Sequence, residues 1–146
     1  MEELIEMIRK LYSKDNKEAY NTLQLLEKKS DDSNEVYEFF DEFAEMINDD
    51  NSYIRTRGLR LIACNAKWDT ENKIDEIIDE YLKHILDDKP ITSRACIKVL
   101  PIIAENKLDL VDVIKDALRN ADVSRYADSM QPLVYKDIRE ALKKIK

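Results

Sequence analysis

Residues 49–68 read Asp-Asp-Asn-Ser-Tyr-Ile-Arg-Thr-Arg-Gly-Leu-Arg-Leu-Ile-Ala-Cys-Asn-Ala-Lys-Trp. An Asp-rich turn opens this stretch, and a helix follows in which a β-branched residue, an arginine and a very small residue come in close succession. The same order returns at residues 87–100, Asp-Asp-Lys-Pro-Ile-Thr-Ser-Arg-Ala-Cys-Ile-Lys-Val-Leu, and in a shorter form at 122–127, Asp-Val-Ser-Arg-Tyr-Ala. Such recurrence is typical of proteins built from stacked repeats.

The composition indicates an all-α protein. The 146 residues include one Gly and three Pro, and hairpin turns of the Asn-Gly or Asp-Gly type are absent. The length fits a single domain over residues 1–146. A formal charge of −7 argues against wholesale attraction to nucleic-acid phosphates or anionic lipid, although a local basic face remains compatible with it.

The N-terminal residues predict an amphipathic, Glu-rich helix rather than a signal peptide. No apolar run approaches the length of about 18 residues that a membrane-spanning helix needs. We therefore expect a cytoplasmic protein without a membrane partner.

Apolar residues recur at helical spacing along the whole chain. The third and fifth predicted helices, at about 36–47 and 74–85, each have a broad apolar face and an acidic opposite face. We expect Pro101 to kink or end the sixth helix, and the last helix to begin near Val123 and to meet Pro132 at a nearly equivalent place.

Small residues at the expected helix crossings set the repeat length. Gly58 and Ala95 are 37 positions apart, Ala95 and Ala127 are 32 apart, and Ala19 precedes Gly58 by 39. Periods in this range are typical of an α-solenoid, in which each helical hairpin buries its apolar face against its neighbours. The spacing predicts four hairpins, at about 1–33, 34–68, 69–107 and 108–146.

The repeated turn resembles the second-helix signature of HEAT repeats, which is carried here by Asp50, Ile54, Arg55 and Gly58, and by Asp87, Ile91, Arg94 and Ala95. This resemblance implies a right-handed α-α superhelix of about four HEAT-like hairpins, with ion pairs between Asp and Arg of successive repeats and with second helices on the concave side. The chain is also similar to small bacterial HEAT-like proteins often labelled as Suf-type iron–sulfur cluster assembly proteins. That similarity implies an accessory role in such assembly as one alternative.

Charge is divided between the two helices of the last three predicted hairpins, but not in the first, where residues 1–14 and 15–33 sum to 0 and −2. Residues 34–50 and 69–88 sum to −7 and −6, whereas residues 52–68, 89–107 and 123–146 sum to +4, +3 and +3. If the second helices share a face, that face is basic and can meet an acidic peptide or nucleic-acid phosphate. The alternative is that these residues pair with nearby Asp turns and hold the repeats in register. The predicted basic face comprises Arg55, Arg57, Arg60, Arg94, Lys98 and Arg125.

A polar segment near the C-terminus is a second candidate binding site, at the end of the predicted concave groove. The alternative is a terminal capping helix with a proline kink. The candidate residues are Tyr126, Asp128, Gln131, Tyr135, Lys136 and Arg139.

No pattern of residues predicts a catalytic, metal or cofactor site. Cys64 and Cys96 stand alone and are expected to be small buried thiols, and the lone His84 is expected at the surface. We therefore predict a non-enzymatic scaffold or adaptor that binds protein or acidic peptide. Nucleic-acid binding, as in HEAT-like DNA repair glycosylases, is the alternative from another class.

Overall fold

The computed structural model describes residues 1–146, which form eight α-helices and no strand. Short 3₁₀ turns at Val36–Phe39, Ala66–Trp68, Lys83–Leu86, Leu108–Leu110 and Val123–Arg125 connect or extend the helices. The all-α prediction is confirmed. None of these helices combines the length and the apolar character that crossing a membrane requires. The helices are α1 Glu2–Lys10, α2 Asn16–Asp32, α3 Phe40–Met46, α4 Ser52–Cys64, α5 Lys73–Leu82, α6 Pro90–Asn106, α7 Val111–Arg119 and α8 Gln131–Lys144.

Helices α2, α4, α6 and α8 pack side by side in chain order. Helix α1 packs on α2, α3 on α4, and α7 on both α6 and α8, while the 3₁₀ turn after α5 packs on α6. The second helices of the predicted hairpins, α2, α4, α6 and α8, therefore form one layer of packed helices, while the division of the chain into four hairpins stays a prediction. The superhelical path of the stack stays a prediction.

Acidic and amide side chains in the turns start several helices. The carboxylate of Asp15 accepts hydrogen bonds from the Lys17 and Glu18 N–H groups, and Asn51 caps α4 in the same way. The Asp69 carboxylate accepts from the first N–H groups of α5. These bonds satisfy donors that no residue inside the helix can reach, which explains why each turn is rich in Asp and Asn.

The predicted apolar faces of the third and fifth helices form the core. Helix formation is split there between a 3₁₀ turn and an α-helix, and most of the predicted face positions are buried, while Phe39, Ala44, Ile77 and Leu82 are half-buried. Buried members of the two faces are Val36, Phe40, Phe43, Ile47, Ile74, Ile78, Tyr81 and Ile85.

Gly58 lies where α4 crosses α3. A Cβ atom at this position would stand 2.8 Å from the Cβ atom of Met46 and 2.9 Å from the carbonyl oxygen of Phe43. Both distances are too short for carbon in contact, so only glycine allows the two helices to approach this closely. The predicted role of Gly58 in close packing is confirmed.

The start of the last helix differs from the prediction. Val123–Arg125 forms a single 3₁₀ turn, Ala127 is exposed in the following loop, and α8 begins at Gln131. Pro132 thus lies in the first turn of α8, where its missing N–H would be unpaired anyway, and it introduces no mid-helix kink. At Pro101 the sixth helix does not end but continues to Asn106.

Candidate interaction surfaces

A groove of about 470 Å³ crosses the layer of second helices between α2, α4 and α6. All of its lining comes from second helices, the helices expected to carry the basic face. The lining residues are Glu27 of α2, Thr56 and Arg60 of α4, and Ile91, Arg94, Ala95, Lys98 and Val99 of α6.

Arg55 joins the turn before α4 to the turn before α6. Its Nη2 and Nε atoms donate to the Asp87 carboxylate at 2.7 and 2.9 Å, and its Nη1 donates to the carbonyl oxygens of Asp49 and Asp50 at 3.1 and 3.0 Å. The hydrogen bond to Asp87 raises the pKa of Arg55. His84 also lies against this carboxylate, with its Nδ1 atom 2.6 Å from Asp87 Oδ2, and is therefore less exposed than predicted.

Arg57 is buried and points toward the first hairpin. Its Nη1 atom donates to the Leu11 carbonyl oxygen at 2.7 Å, and its Nη2 atom donates to Asn16 Oδ1 at 3.3 Å. Burial lowers the pKa of this guanidinium. Arg57 therefore anchors the loop between α1 and α2 through one hydrogen bond from each of its two terminal nitrogens.

Arg60 and Arg94 lie in the groove, but each is paired with a carboxylate of a neighbouring helix. Arg60 makes two hydrogen bonds to Glu27 at 3.0 and 2.8 Å, and Arg94 Nε lies 2.6 Å from Asp137 Oδ2. Two-point guanidinium–carboxylate contacts are among the stronger polar interactions of proteins. Most of the positive charge predicted for the groove is thus neutralised within the stack.

Arg125 is half-exposed and completes a series of contacts between hairpins. It donates to Asp88 Oδ1 at 2.8 Å and to the Leu86 carbonyl oxygen at 2.5 Å. The pairs Glu27–Arg60, Arg55–Asp87, Arg94–Asp137 and Arg125–Asp88 each join two neighbouring hairpins. Their sequence separations of 33, 32, 43 and 37 are close to the repeat length.

Lys98 is the one member of the predicted basic face that has no ion pair or hydrogen-bond partner. Its side chain is exposed on α6, and it lines the groove. It also lines a second cavity farther along the same helix. Lys98 is therefore the cation of this face that is free to meet a ligand.

The predicted C-terminal site is divided into two groups of residues. In the loop before α8, the buried Tyr126 donates to the Asp87 carbonyl oxygen at 2.5 Å, and Gln131 donates to the Tyr126 carbonyl oxygen at 2.8 Å and to Asp128 at 3.5 Å. On α8, the Arg139 guanidinium lies 5.4 Å from the ring centre of Tyr135, and Lys136 lies 4.0 Å from Glu140. No hydrogen bond joins the two groups, and the loop group serves to hold the start of α8 against the third hairpin.

The second cavity, of about 630 Å³, was not foreseen from the sequence. It lies between the C-terminal half of α6, the Leu108–Leu110 turn and the end of α8. The feature of the sequence that could have indicated it is the presence of apolar residues outside the core stripes, Ile102 and Leu108. In the structure Leu108 is 78% exposed and Ile102 is 40% exposed. Its lining comprises Lys98, Pro101, Ile102, Ala104, Glu105, Leu108, Val111, Lys144, Ile145 and Lys146.

Lys107 forms a buried polar cluster that sequence reasoning also missed. Its Nζ atom lies 3.2 Å from Asp69 Oδ2 and 2.9 Å from Asp75 Oδ1, and it donates to Asn72 Oδ1. Asp69 in turn accepts a 2.6 Å hydrogen bond from the Tyr37 hydroxyl. This cluster fastens the end of α6 to the turn before α5, which is a structural task.

The two cysteines are free thiols that lie within the helical layers. Cys96 is buried and Cys64 is half-buried. Burial raises the pKa of Cys64 to about 12 and raises that of Cys96 further. No group of three or more His, Cys, Asp or Glu side chains is arranged to hold a metal ion.

Comparison with protein-family models, curated proteins and solved structures finds no match for this chain. The resemblance to HEAT repeats therefore rests on the residues of the repeated turns.

Proposed function

We propose that this chain is a non-enzymatic interaction module that binds a peptide segment of another protein along the groove between α2, α4 and α6. The observation that carries the proposal is the combination, in one groove, of an apolar side chain and a free cation. Ile91 is 74% exposed, although β-branched apolar residues are ordinarily buried, and Lys98 has no partner. Exposed apolar groups beside polar ones are a common feature of protein-interaction sites.

Two exposed tyrosines extend the apolar character of this layer. Tyr20 of α2 is 47% exposed and Tyr53 of α4 is 58% exposed. The guanidinium groups of Arg60 and Arg57 lie 5.6 and 5.8 Å from the respective ring centres. Such contacts restrict the rings, and restricted aromatic side chains are favoured in recognition surfaces because little conformational entropy is lost on binding.

The pairing of the arginines favours a peptide over a nucleic acid as the ligand. Affinity for a phosphate backbone depends on how many phosphates the protein neutralises with its Lys and Arg side chains. In the groove, Glu27 and Asp137 already occupy Arg60 and Arg94, so Lys98 alone remains. One free cation suits a single acidic residue of a peptide better than a row of phosphates.

The test is selection of peptides from a displayed random library on the immobilised protein. We expect the wild type to enrich a set of peptides, and a variant carrying Ile91→Glu and Lys98→Glu to bind those peptides at least 10-fold more weakly. These two residues are exposed, whereas replacing Arg94 would leave the buried Asp137 carboxylate without its partner.

The matched control carries Leu133→Glu and Lys143→Glu, the same kinds of change at two exposed positions of α8 outside the groove. It should bind the selected peptides as the wild type does. Failure of the wild type to enrich any peptide would overturn the proposal, as would equal loss of binding in the groove variant and the control. Circular dichroism and thermal unfolding verify that all three proteins are folded.

A further inference from the structure

The cavity beside α6 has an apolar floor and a basic rim. Its apolar lining is Pro101, Ile102, Ala104, Leu108, Val111 and Ile145. At about 630 Å³ its size falls within the range of sites that enclose small ligands or large side chains. Leu108 turns most of its surface to solvent here, so the floor is available to an incoming apolar group.

The rim carries three ammonium groups and one carboxylate. Lys98, Lys144 and Lys146 line the cavity together with Glu105, and none of the three lysines takes part in an ion pair through its side chain. This arrangement differs from the cavity between α1 and α2, of about 620 Å³, where three lysines face three carboxylates. Of these two cavities of similar size, only the one beside α6 has an excess of positive charge in its lining.

Lys98 connects this cavity to the groove. It lines both, with Ile91, Arg94 and Ala95 on one side along α6 and Pro101 and Ile102 on the other. A chain lying in the groove would therefore pass Lys98 before it reaches the apolar floor. The order of chemical groups along this path is apolar at Ile91, cationic at Lys98 and apolar again at Leu108.

We infer that the bound segment carries an acidic residue next to a large apolar residue, with the carboxylate between Lys98 and Lys144 and the apolar side chain on the floor around Ile102 and Leu108. This inference rests on the proposed function and specifies the class of peptide. Charge complementarity selects the carboxylate, since the free cations of the rim have no acidic partner in the chain itself. Burial of the apolar side chain against the floor supplies the favourable transfer of apolar surface from water.

The test repeats the library selection on matched variants and reads the sequences of the enriched peptides. The variants Lys144→Glu and Lys143→Glu make the same charge change at adjacent exposed positions, but only Lys144 lines the cavity. A second pair compares Leu108→Ser, on the floor, with Leu133→Ser, which makes the same change at an exposed position of α8 outside the cavity. All four positions are exposed, so each variant is expected to fold.

We expect the wild-type pool to be enriched at least 5-fold over the input library in Asp or Glu within two positions of Leu, Ile, Phe or Trp. Lys144→Glu should abolish the acidic preference and Leu108→Ser the apolar one, while both controls keep the wild-type pattern. Enriched peptides without the acidic–apolar pair would overturn this inference and leave the proposed function standing. The same pattern in Lys144→Glu as in Lys143→Glu would also overturn it, whereas no enriched peptides from the wild type would overturn both proposals.

Discussion

Arg55 and Asp87 are joined by two hydrogen bonds of 2.7 and 2.9 Å, although 32 positions of the chain separate them. The same carboxylate accepts a 2.9 Å hydrogen bond from the Lys89 N–H group at the start of α6 and contacts His84. Both partners are largely buried, since the Arg55 side chain is 12% exposed and that of Asp87 is 3% exposed. One carboxylate thus links the second hairpin to the third and shapes the turn that begins α6.

Replacing Asp87 with Ala should lower the free energy of unfolding by about 3–5 kcal/mol, because a buried guanidinium would lose its partner. Urea unfolding measures this change. Asp88→Ala is the matched control, since the Asp88 side chain is 82% exposed and its pair with Arg125 should be worth less than about 1 kcal/mol. Equal effects of the two substitutions would show that the Arg55–Asp87 pair does not link the hairpins as described.

The contribution of Asp87 to stability should disappear in acid. Burial alone would raise the pKa of Asp87, but hydrogen bonds from His84 and Arg55 outweigh it and hold this pKa well below its ordinary value. Because the pKa is lower in the folded state, the stabilisation is fully present above the unfolded value of about 3.9 and is lost as the pH falls through the folded value.

The stability difference between the wild type and Asp87→Asn should therefore shrink as the pH is lowered from about 5 toward 2, which urea unfolding at several pH values can follow. Asp88→Asn provides the baseline for general acid effects at the same turn. A difference that stays constant over this range would contradict the lowered pKa.

Gly58→Ala should destabilise the protein, although alanine is favoured over glycine inside a helix by about 1 kcal/mol. The added methyl group would overlap the Met46 Cβ atom and the Phe43 carbonyl oxygen, neither of which can rotate away. The net loss should be about 1–2 kcal/mol, and Gly58→Leu should cost more. Thermal unfolding decides the sign, and an alanine variant as stable as the wild type would mean that α3 and α4 do not approach as closely as described.

Truncation of core side chains should lower stability strongly in both α3 and α5. Phe40 is 1% exposed and Ile78 is 7% exposed, so Phe40→Ala should cost about 3–5 kcal/mol and Ile78→Ala about 2–5 kcal/mol. Tyr135→Ala, at a position 54% exposed, should change the free energy of unfolding by no more than about 0.5 kcal/mol. If urea unfolding shows neutral effects for both core variants, the assignment of the buried faces is wrong.

Both thiols should react slowly in the folded protein. The thiolate is the reactive form, and burial raises the pKa of Cys64 to about 12 and that of Cys96 further. In an assay with a chromogenic disulfide at pH 8, we expect Cys64 to react slowly and Cys96 more slowly still, while both react at once in guanidinium chloride. The single variants Cys64→Ala and Cys96→Ala assign the two phases, and rapid labelling of Cys96 in the native protein would contradict its burial.

The difference between the expected and observed start of α8 shows where local patterns fail. Residues 122–127 share the Asp, the β-branched residue and the arginine of the other turns, and this likeness placed the helix start near Val123. In the structure, the Tyr126 hydroxyl reaches across to the Asp87 carbonyl oxygen and holds the segment as a loop. A contact 39 positions away therefore outweighs the local pattern, and Pro132 supplies the actual start.

The spacing of apolar and small residues over one or two helical turns was enough to predict most of the helices, many of their buried positions and the close approach at Gly58, because these features are local. It could also indicate that the arginines of second helices would meet either a ligand or the Asp turns. Which outcome applies to each arginine depends on how the helices stack, because their partners in other parts of the fold lie 32 to 46 positions away in the sequence. A sum of charges along a segment does not show which charges are paired with residues distant in the sequence. Lys98 and Lys144 are therefore recognised as unpaired, and as neighbours of the exposed Leu108, only in the folded chain.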